Sequence, residues 1–365
     1  MRRKFVSGFV FIILFNLIFS LELKKEIGQL LIVGFRGFEV SDNSEIIKDI
    51  ENYNLGGLVL FDYDVVLKKY ERNIRNKKQV KRLIRSLKSY SEIPLFVAVD
   101  LEGGLVNRLK KRYGFSDIPS QEYVGVLNSE KYAGQVVKRI IKNLKSVGFN
   151  MNFSPVLDIN LNPDNPIIGK LGRSFSSNRR IVYKMARIYL SEYKKNKIIS
   201  VVKHFPGHGS SHNDSHKGVV DVSDYWKEIE LLPYKKLISE KLVDFVMTAH
   251  IYNKYLDDKF PASLSKKIIT GILKNKLGFN GVVVSDDLNM KAITNEFSLK
   301  RTIELALKAG NDILLFGNNL NYDEKLVDKV VNIVFELIKQ GRIKKSRIHS
   351  SYDKIIRFKR KIFNY

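Results

Sequence analysis

The sequence predicts a single (β/α)8 barrel, an α/β fold, and three observations predict it. Eight short apolar runs recur along the chain, amphipathic stretches with helical spacing lie between them, and chemically capable polar residues directly follow several runs. The runs are LLIV (30–33), GLVLF (57–61), LFVAV (95–99), MNFSPVLD (151–158), IISVVK (198–203), FVMTA (245–249), GVVVS (281–285) and DILLF (312–316). They are short, largely apolar and rich in β-branched residues, as strands of a parallel sheet covered on both faces must be. An open, doubly wound sheet would show the same local pattern, because periodicity does not report closure.

The intervening stretches read as helices. KYAGQVVKRIIKNLKSVG, RRIVYKMARIYLSEYKKN, KKIITGILKNKLG and LKRTIELALKAG repeat apolar residues at i, i+3 and i+4, and the last two run into a glycine that can stop a helix. The final LVDKVVNIVFELIKQGRIKKSRIHSSYDKIIRFKRKIF predicts two more helices. No Pro-, Gly- or Ser-rich linker interrupts the pattern, so residues 21–365 read as one domain.

The first twenty residues differ. A basic MRRKF precedes the apolar VSGFVFIILFNLIFS, which is shorter than the roughly 20 apolar residues of a spanning helix. That order predicts a secretory signal cleaved before Leu21 and a periplasmic or extracellular location; an uncleaved signal would make a membrane anchor. With no cysteine, the chain can carry neither a lipid on sulfur nor a disulfide. The formal charge is +25, or +22 without Arg2, Arg3 and Lys4. The lysines are scattered over amphipathic stretches such as NKKQVKRLIRSLKSY, which favours a solvated surface over a nucleic-acid site. No nucleic-acid partner is expected, whereas weak attraction to an anionic membrane or wall surface fits the charge.

A barrel of this kind keeps its active site at the C-terminal ends of its strands. Asp100 and Glu102 follow the third run, Lys203 and His204 end the region of the fifth, His250 follows the sixth, and Asp286 and Asp287 follow the seventh. The stretch KHFPGHGSSHNDSH places His204, His208, His212 and His216 four residues apart. Such spacing would align ligands on a helix, but Pro206, Gly207 and Gly209 with the following Ser, Asn and Asp residues favour a loop. No metal and no cofactor is therefore expected, and FPGHGSS lacks the Gly-Lys-Ser/Thr ending of a phosphate loop. Within DSH, Asp214 can orient the imidazole of His216 and raise its basicity, which makes His216 a candidate general acid/base.

Taken together, KHFPGHG…DSH, VDLEGGLVNRL, GRSFSSN, PASLSKKIITGILKNKLGFNGVVVSDDLNMKAI and AGNDILLF resemble glycoside hydrolase family 3, and within it the single-domain bacterial β-N-acetylglucosaminidases (β-N-acetylhexosaminidases). The resemblance implies a TIM-type barrel and a retaining mechanism through a covalent glycosyl-enzyme intermediate. It assigns the nucleophile to Asp286, the acid/base to His216 and its orientation to Asp214, on a loop that closes over bound sugar. Asp287 is expected to point away and to hydrogen-bond locally. Asp100, Arg108, Arg173, Lys203 and His204 match the family's sugar-binding positions. His208 and His250 are expected to be structural, and His212 exposed.

Leu101 and Leu105 stand where the family more often has Gln and Arg, GHGSS replaces the usual GHGDT, and GKLGRSF carries extra residues. The implied substrate is a peptidoglycan fragment or another oligosaccharide ending in β-linked N-acetylglucosamine, with chitin oligosaccharides as the alternative and a monomer as the acting form. A β-glucosidase-like or phosphorolytic relative, or a non-catalytic cell-wall sugar-binding protein, are the rival readings.

Overall fold

Eight parallel strands form one sheet in the computed structural model, which describes residues 21–214 and 218–365. The predicted signal and His216 lie outside the described residues. The strands are β1 (Leu31–Gly34), β2 (Gly57–Val59), β3 (Phe96–Val99), β4 (Met151–Asn152), β5 (Ile199–Phe205), β6 (Phe245–Thr248), β7 (Val282–Ser285) and β8 (Leu314–Phe316). Neighbours in the sheet run β7-β6-β5-β4-β3-β2-β1-β8. A parallel bridge between Val284 and Ile313 then joins the two ends, with Ser285 N–H donating to the Ile313 carbonyl at 3.0 Å. The sheet is thus a closed TIM-type barrel, and every residue of the eight strands is buried, as their largely apolar character requires.

Seven strands lie close to the predicted runs. The fourth does not extend through 151–158. Its regular ladder stops at Asn152, because Pro155 has no N–H to donate, and the chain rejoins β5 only where Val156 bridges Lys203. The Asn152 side chain takes over: its Oδ1 accepts from Leu101 N–H at 3.0 Å and its Nδ2 donates to the Leu101 carbonyl at 3.0 Å. That clamp fixes the start of the hairpin following β3. β5 in turn runs two residues further than predicted and carries an irregular register against β6, where Val202 faces Val246 but Phe205 faces Thr248. An inserted residue of this kind re-aims side chains, and it falls at Lys203 and His204.

Helices surround the barrel, their apolar faces turned inward. Glu130–Val147 is capped at its start by the Ser129 hydroxyl and ends on Gly148 in the left-handed region (φ 101°). Arg179–Lys195 and Leu299–Ala309 start on Asn178 and Ser298, whose side chains accept from Arg180 and Arg301 N–H. The two C-terminal helices are Leu326–Lys339 and Lys345–Phe363. The last one covers the floor of the barrel: Phe358 packs edge-on against Phe245, and Phe363 lies tilted against Phe96. Buried Lys359 reaches in to donate to Gln29 Oε1 and to the Gly56 carbonyl, each at 2.8 Å. Among the described residues, no helix is long and apolar enough to cross a membrane.

Candidate active site

The C-terminal mouth of the barrel is built on a buried row of alternating charges. Asp100 follows β3 directly, and Glu102 lies in the short hairpin Leu101–Gly103/Val106–Asn107. Lys203, near the end of β5, reaches both carboxylates, with Nζ 2.8 Å from Asp100 Oδ1 and 2.7 Å from Glu102 Oε1. Glu102 also holds the Arg173 guanidinium two-pronged, at 2.8 and 2.7 Å, a geometry that a lysine could not reproduce. Arg173 then meets His204 Nε2 at 3.1 Å, and His204 Nδ1 meets Asp158 Oδ2 at 2.6 Å. Because a guanidinium can only donate, Nε2 of His204 accepts and Nδ1 carries the proton toward Asp158. The second Asp158 oxygen accepts from the backbone N–H groups of His204 and His208.

This alternation sets the charges. Burial works to raise the Asp100 carboxyl, but Lys203 and then Arg108 overcome it and bring it down to about 2. Burial likewise opposes ionisation of Glu102, and Arg173 and Lys203 prevail, so it too lies below its ordinary value. Lys203 is raised, since Asp100 and Glu102 outweigh its own desolvation. Asp158 is lowered mainly by His204 against the effect of burial. Asp100 therefore stands as a fixed anion with hydrogen-bonding capacity toward the mouth, the arrangement a sugar hydroxyl needs.

Across the mouth, Asp286 follows β7. Its backbone N–H donates to the Thr248 carbonyl at 3.1 Å, and its Oδ1 accepts from Asp287 N–H at 2.8 Å. Asp287 Oδ1 accepts from Asn289 and Gly317 N–H at 2.9 and 2.8 Å, tying β7 to the end of β8. A Cβ on Gly317 would meet Asp287 Oδ2 at 2.4 Å, so a larger residue there would push the Asp287 carboxylate from this position. Asp287 thus bonds locally, as expected, while also lining the mouth. A cavity of about 410 Å3 opens here, lined by Asp100, Arg108, Arg173, Lys203, His204 and Asp286 together with apolar side chains such as Phe61, Phe153, Met247 and Met290. Polar groups converging in a largely apolar hollow are the usual makings of a small-molecule site.

A model of the Glycosyl hydrolase family 3 N terminal domain matches residues 22–358. The chain belongs to glycosyl hydrolase family 3. Beta-hexosaminidase A of Pseudoalteromonas piscicida is 32% identical over 343 residues, covering 87% of this chain and 55% of that protein. The Beta-hexosaminidase of Tolumonas auensis is 32% identical over 298 residues, 79% of this chain and 83% of that one. A solved family 3 β-N-acetylglucosaminidase from Paenibacillus sp. superposes with a TM-score of 0.84 at 32% identity, over 93% of this chain and 62% of that one. The β-N-acetylhexosaminidase structure from Beutenbergia cavernae shares the fold (TM-score 0.81, 24% identity, 92% and 98% covered). The chain thus spans about half the length of the P. piscicida relative and under two thirds of the Paenibacillus one.

For this family 3 chain, the cavity gathers six of the eight residues singled out from sequence. Asp214 lies on the loop beyond Ser211 and is not among the described residues lining the cavity, and His216 is outside the described residues. His250 bonds Ser263 Oγ at 2.7 Å and the Asp287 carbonyl at 2.9 Å, and exposed His212 lies tilted against Tyr225, their ring centres 4.0 Å apart. His208 does more than the structural role expected of it: its Nδ1 meets Ser211 Oγ at 2.6 Å, and its ring also forms part of the cavity wall. Burial pushes His208 down to about 4, so near neutral pH it is an uncharged ring.

Sequence reasoning missed Asp158 as the orienter of His204. Its place at the end of the fourth run was the available signal. It also missed Glu230, which has no such signal. Glu230 is fully buried, accepts from Gly209 N–H at 3.0 Å and from the Ser210 hydroxyl at 2.6 Å, and so anchors the loop that carries His208.

Proposed function

We propose that the chain is a retaining β-N-acetylglucosaminidase that removes terminal β-linked N-acetylglucosamine from peptidoglycan fragments or related oligosaccharides. The observation carrying this reading is the convergence of Asp286 with Asp100, Arg108, Arg173, Lys203 and His204 on one cavity at the barrel mouth. The hexosaminidase names of the relatives support it. Asp286 attacks the anomeric carbon, and the glycosidic C–O bond breaks as a glycosyl ester forms. His216, oriented by Asp214, gives its proton to the leaving oxygen. It then takes a proton from water, which displaces Asp286 and releases the sugar with its original configuration. Asp100 and Lys203 supply an acceptor and a donor for the hydroxyls of the terminal sugar, and both are already ordered before it arrives.

The basic-then-apolar order of residues 1–20, read as an export signal, supports an activity outside the cytoplasm, and the +25 formal charge suits an anionic wall fragment. No cofactor enters the reaction, and the unit proposed is the monomer.

The test uses residues 21–365 with chromogenic β-N-acetylglucosaminide and β-glucoside, with and without phosphate, beside Asp286→Ala and His216→Ala. Hydrolysis of the first substrate alone, with the β-anomer released first and a loss of at least ~10^3-fold in Asp286→Ala, is the expected result. Sugar 1-phosphate as product would move the reaction to phosphorolysis. Release of the α-anomer first would overturn retention.

A further inference from the structure

We propose that the rim beyond Arg108 is a subsite for a carboxylate on the departing half of the substrate, with Arg112 as the residue that sets this preference. The inference deepens the glycosidase reading above and rests on it. Under that reading, buried Lys203 and Asp100 hold the terminal sugar, and an exo-acting enzyme leaves the rest of the glycan at the rim. Arg108 carries the cavity lining outward, its side chain 30% exposed. Lys110 and Arg112 follow at alternate positions and are 31% and 47% exposed. Four residues of chain span at most ~14 Å, so this basic run starts on the cavity wall and stays beside it.

The three cations gather on one buried carboxylate. Lys110 Nζ lies 2.5 Å from Asp62 Oδ2, Arg112 lies 3.7 Å from the same oxygen, and Arg108 lies 3.9 Å from Oδ1. Only the lysine is within hydrogen-bond reach, so it answers the burial of Asp62. Arg108 is shared with Asp100, at 4.0 Å. Glu71, just after the hairpin Tyr63–Asp64/Lys69–Tyr70, is taken by Arg75 at 2.8 Å. Arg112 is thus charge in excess, and exposed Lys68, Lys69 and Lys111 add to it. Like charges crowded in this way repel one another, and an arriving anion relieves that repulsion. The site is also ordered in advance. The Arg112 guanidinium sits over the Tyr70 ring, 3.8 Å from its centre, and Lys110 Nζ over the same ring at 5.0 Å. Tyr70 meets Tyr63 edge-on at 5.0 Å, and Tyr63 lines the cavity. One aromatic pair therefore joins the sugar site to a fixed cation, and little side-chain freedom is left to lose when an anion binds.

The experiment uses β-N-acetylglucosamine linked to N-acetylmuramic acid, with the lactyl carboxylate free or converted to its primary amide. A second pair carries an alanyl-glutamate dipeptide on the lactyl group, its carboxylates free or amidated, so the two pairs separate a carboxylate on the sugar from one on a peptide. Wild type, Arg112→Gln, Arg112→Glu and Lys361→Gln are compared, and non-hydrolysable S-linked analogues serve as ligands in parallel. An exposed ion pair is worth up to about fivefold, so wild type should favour the carboxylate about fivefold in kcat/KM in at least one pair at low salt, and high salt should erase most of that preference. The ratio should fall to about twofold or less in Arg112→Gln and below one in Arg112→Glu. It should keep its wild-type value in Lys361→Gln, which removes one charge from the helix Lys345–Phe363 at the barrel floor. Circular dichroism checks the fold of each variant, and the salt dependence of wild type decides the matter should an Arg112 variant not fold. No preference in either pair, or one that Arg112→Gln leaves intact, overturns the anionic subsite and leaves the glycosidase reading standing. Carboxylate-selective binding of the S-linked analogues that Arg112→Gln abolishes, without turnover of any glycoside, does the reverse. Neither turnover nor selective binding sinks both.

Discussion

Glu230 gives the most quantitative prediction. Its carboxyl is fully buried, and burial is the main cause that pushes it up to about 8; Ser210 and the Gly209 N–H act the other way, and nearby Asp158 adds to the rise. In the folded protein the neutral acid is favoured, whereas the unfolded chain releases the proton near 4.5. Between those values the folded state holds a proton that the unfolded state has lost. The stability this group contributes is complete below pH 4.5 and is lost as pH rises through about 8. At 1.36 kcal/mol per pH unit, the loss is ~3 kcal/mol by pH 7 and ~5 kcal/mol above pH 8.

Glu230→Gln isolates this effect. The amide keeps an acceptor for Gly209 N–H, its NH2 can donate to Ser210 Oγ once that hydroxyl turns to accept, and it cannot ionise. Urea unfolding of both proteins, followed by circular dichroism at pH 5, 6, 7, 8 and 9, reads the difference directly, because every other titrating group cancels. The variant should be within ~1 kcal/mol of wild type at pH 5 and more stable by several kcal/mol at pH 9. Parallel stability profiles across that range would refute the reasoning. Glu230→Ala should instead be destabilised throughout, since it strands two buried donors and loosens the loop leading to Asp214 and His216.

Three further outcomes follow from packing and charge. Arg173→Lys breaks the two-pronged hold on Glu102, and should cost about 3 kcal/mol in urea unfolding and raise KM for the glycoside. Gly209→Ala would place a methyl 1.7 Å from the Ile159 carbonyl, whereas Gly134→Ala meets nothing within 4 Å. The first should lose at least ~10-fold in kcat/KM, and the second, in mid-helix, should gain up to ~1 kcal/mol of stability. Lys359 is buried against carbonyl oxygens and held well below its ordinary value by desolvation. The folded state then binds fewer protons than the unfolded chain, so its contribution to stability rises with pH, and Lys359→Met should abolish that rise in a thermal-melt series between pH 7 and 10.

The barrel was legible because strands buried on both faces leave a local mark, a short apolar run, and seven runs coincide with strands to within two residues or so. The fourth run failed after Asn152, since apolar character says nothing about the ladder N–H that Pro155 lacks. Among the candidate residues, those at strand ends were found by position and motif. Their supporting cast was hidden by distance along the chain: Glu102 and Arg173 are 71 residues apart, and Asp158 and His204 are 46 apart. Parallel pairing of the neighbouring strands β3, β4 and β5 brings such pairs together. The histidine segment shows both sides of this. Its Pro and Gly residues marked a loop, yet Phe205 pairs with Thr248 and so carries His204 with it into β5.

Burying Asp100, Lys203, Glu102, Arg173 and Asp158 in one row is costly, because each ion gives up water. Alternation of sign recovers much of that cost, and it explains why the row is continuous: removing any inner member would leave two like charges with less between them. What the row supplies is an Asp100 that is anionic and a Lys203 that is cationic in advance, so under the function proposed above the hydroxyls of a sugar would meet charges that need no rearrangement. The fold offsets the expense elsewhere, through eight buried, largely apolar strands and a C-terminal helix whose Phe358 and Phe363 pack under the barrel floor. The mouth can therefore be rich in charge because the far end of the same barrel is sealed with aromatic rings.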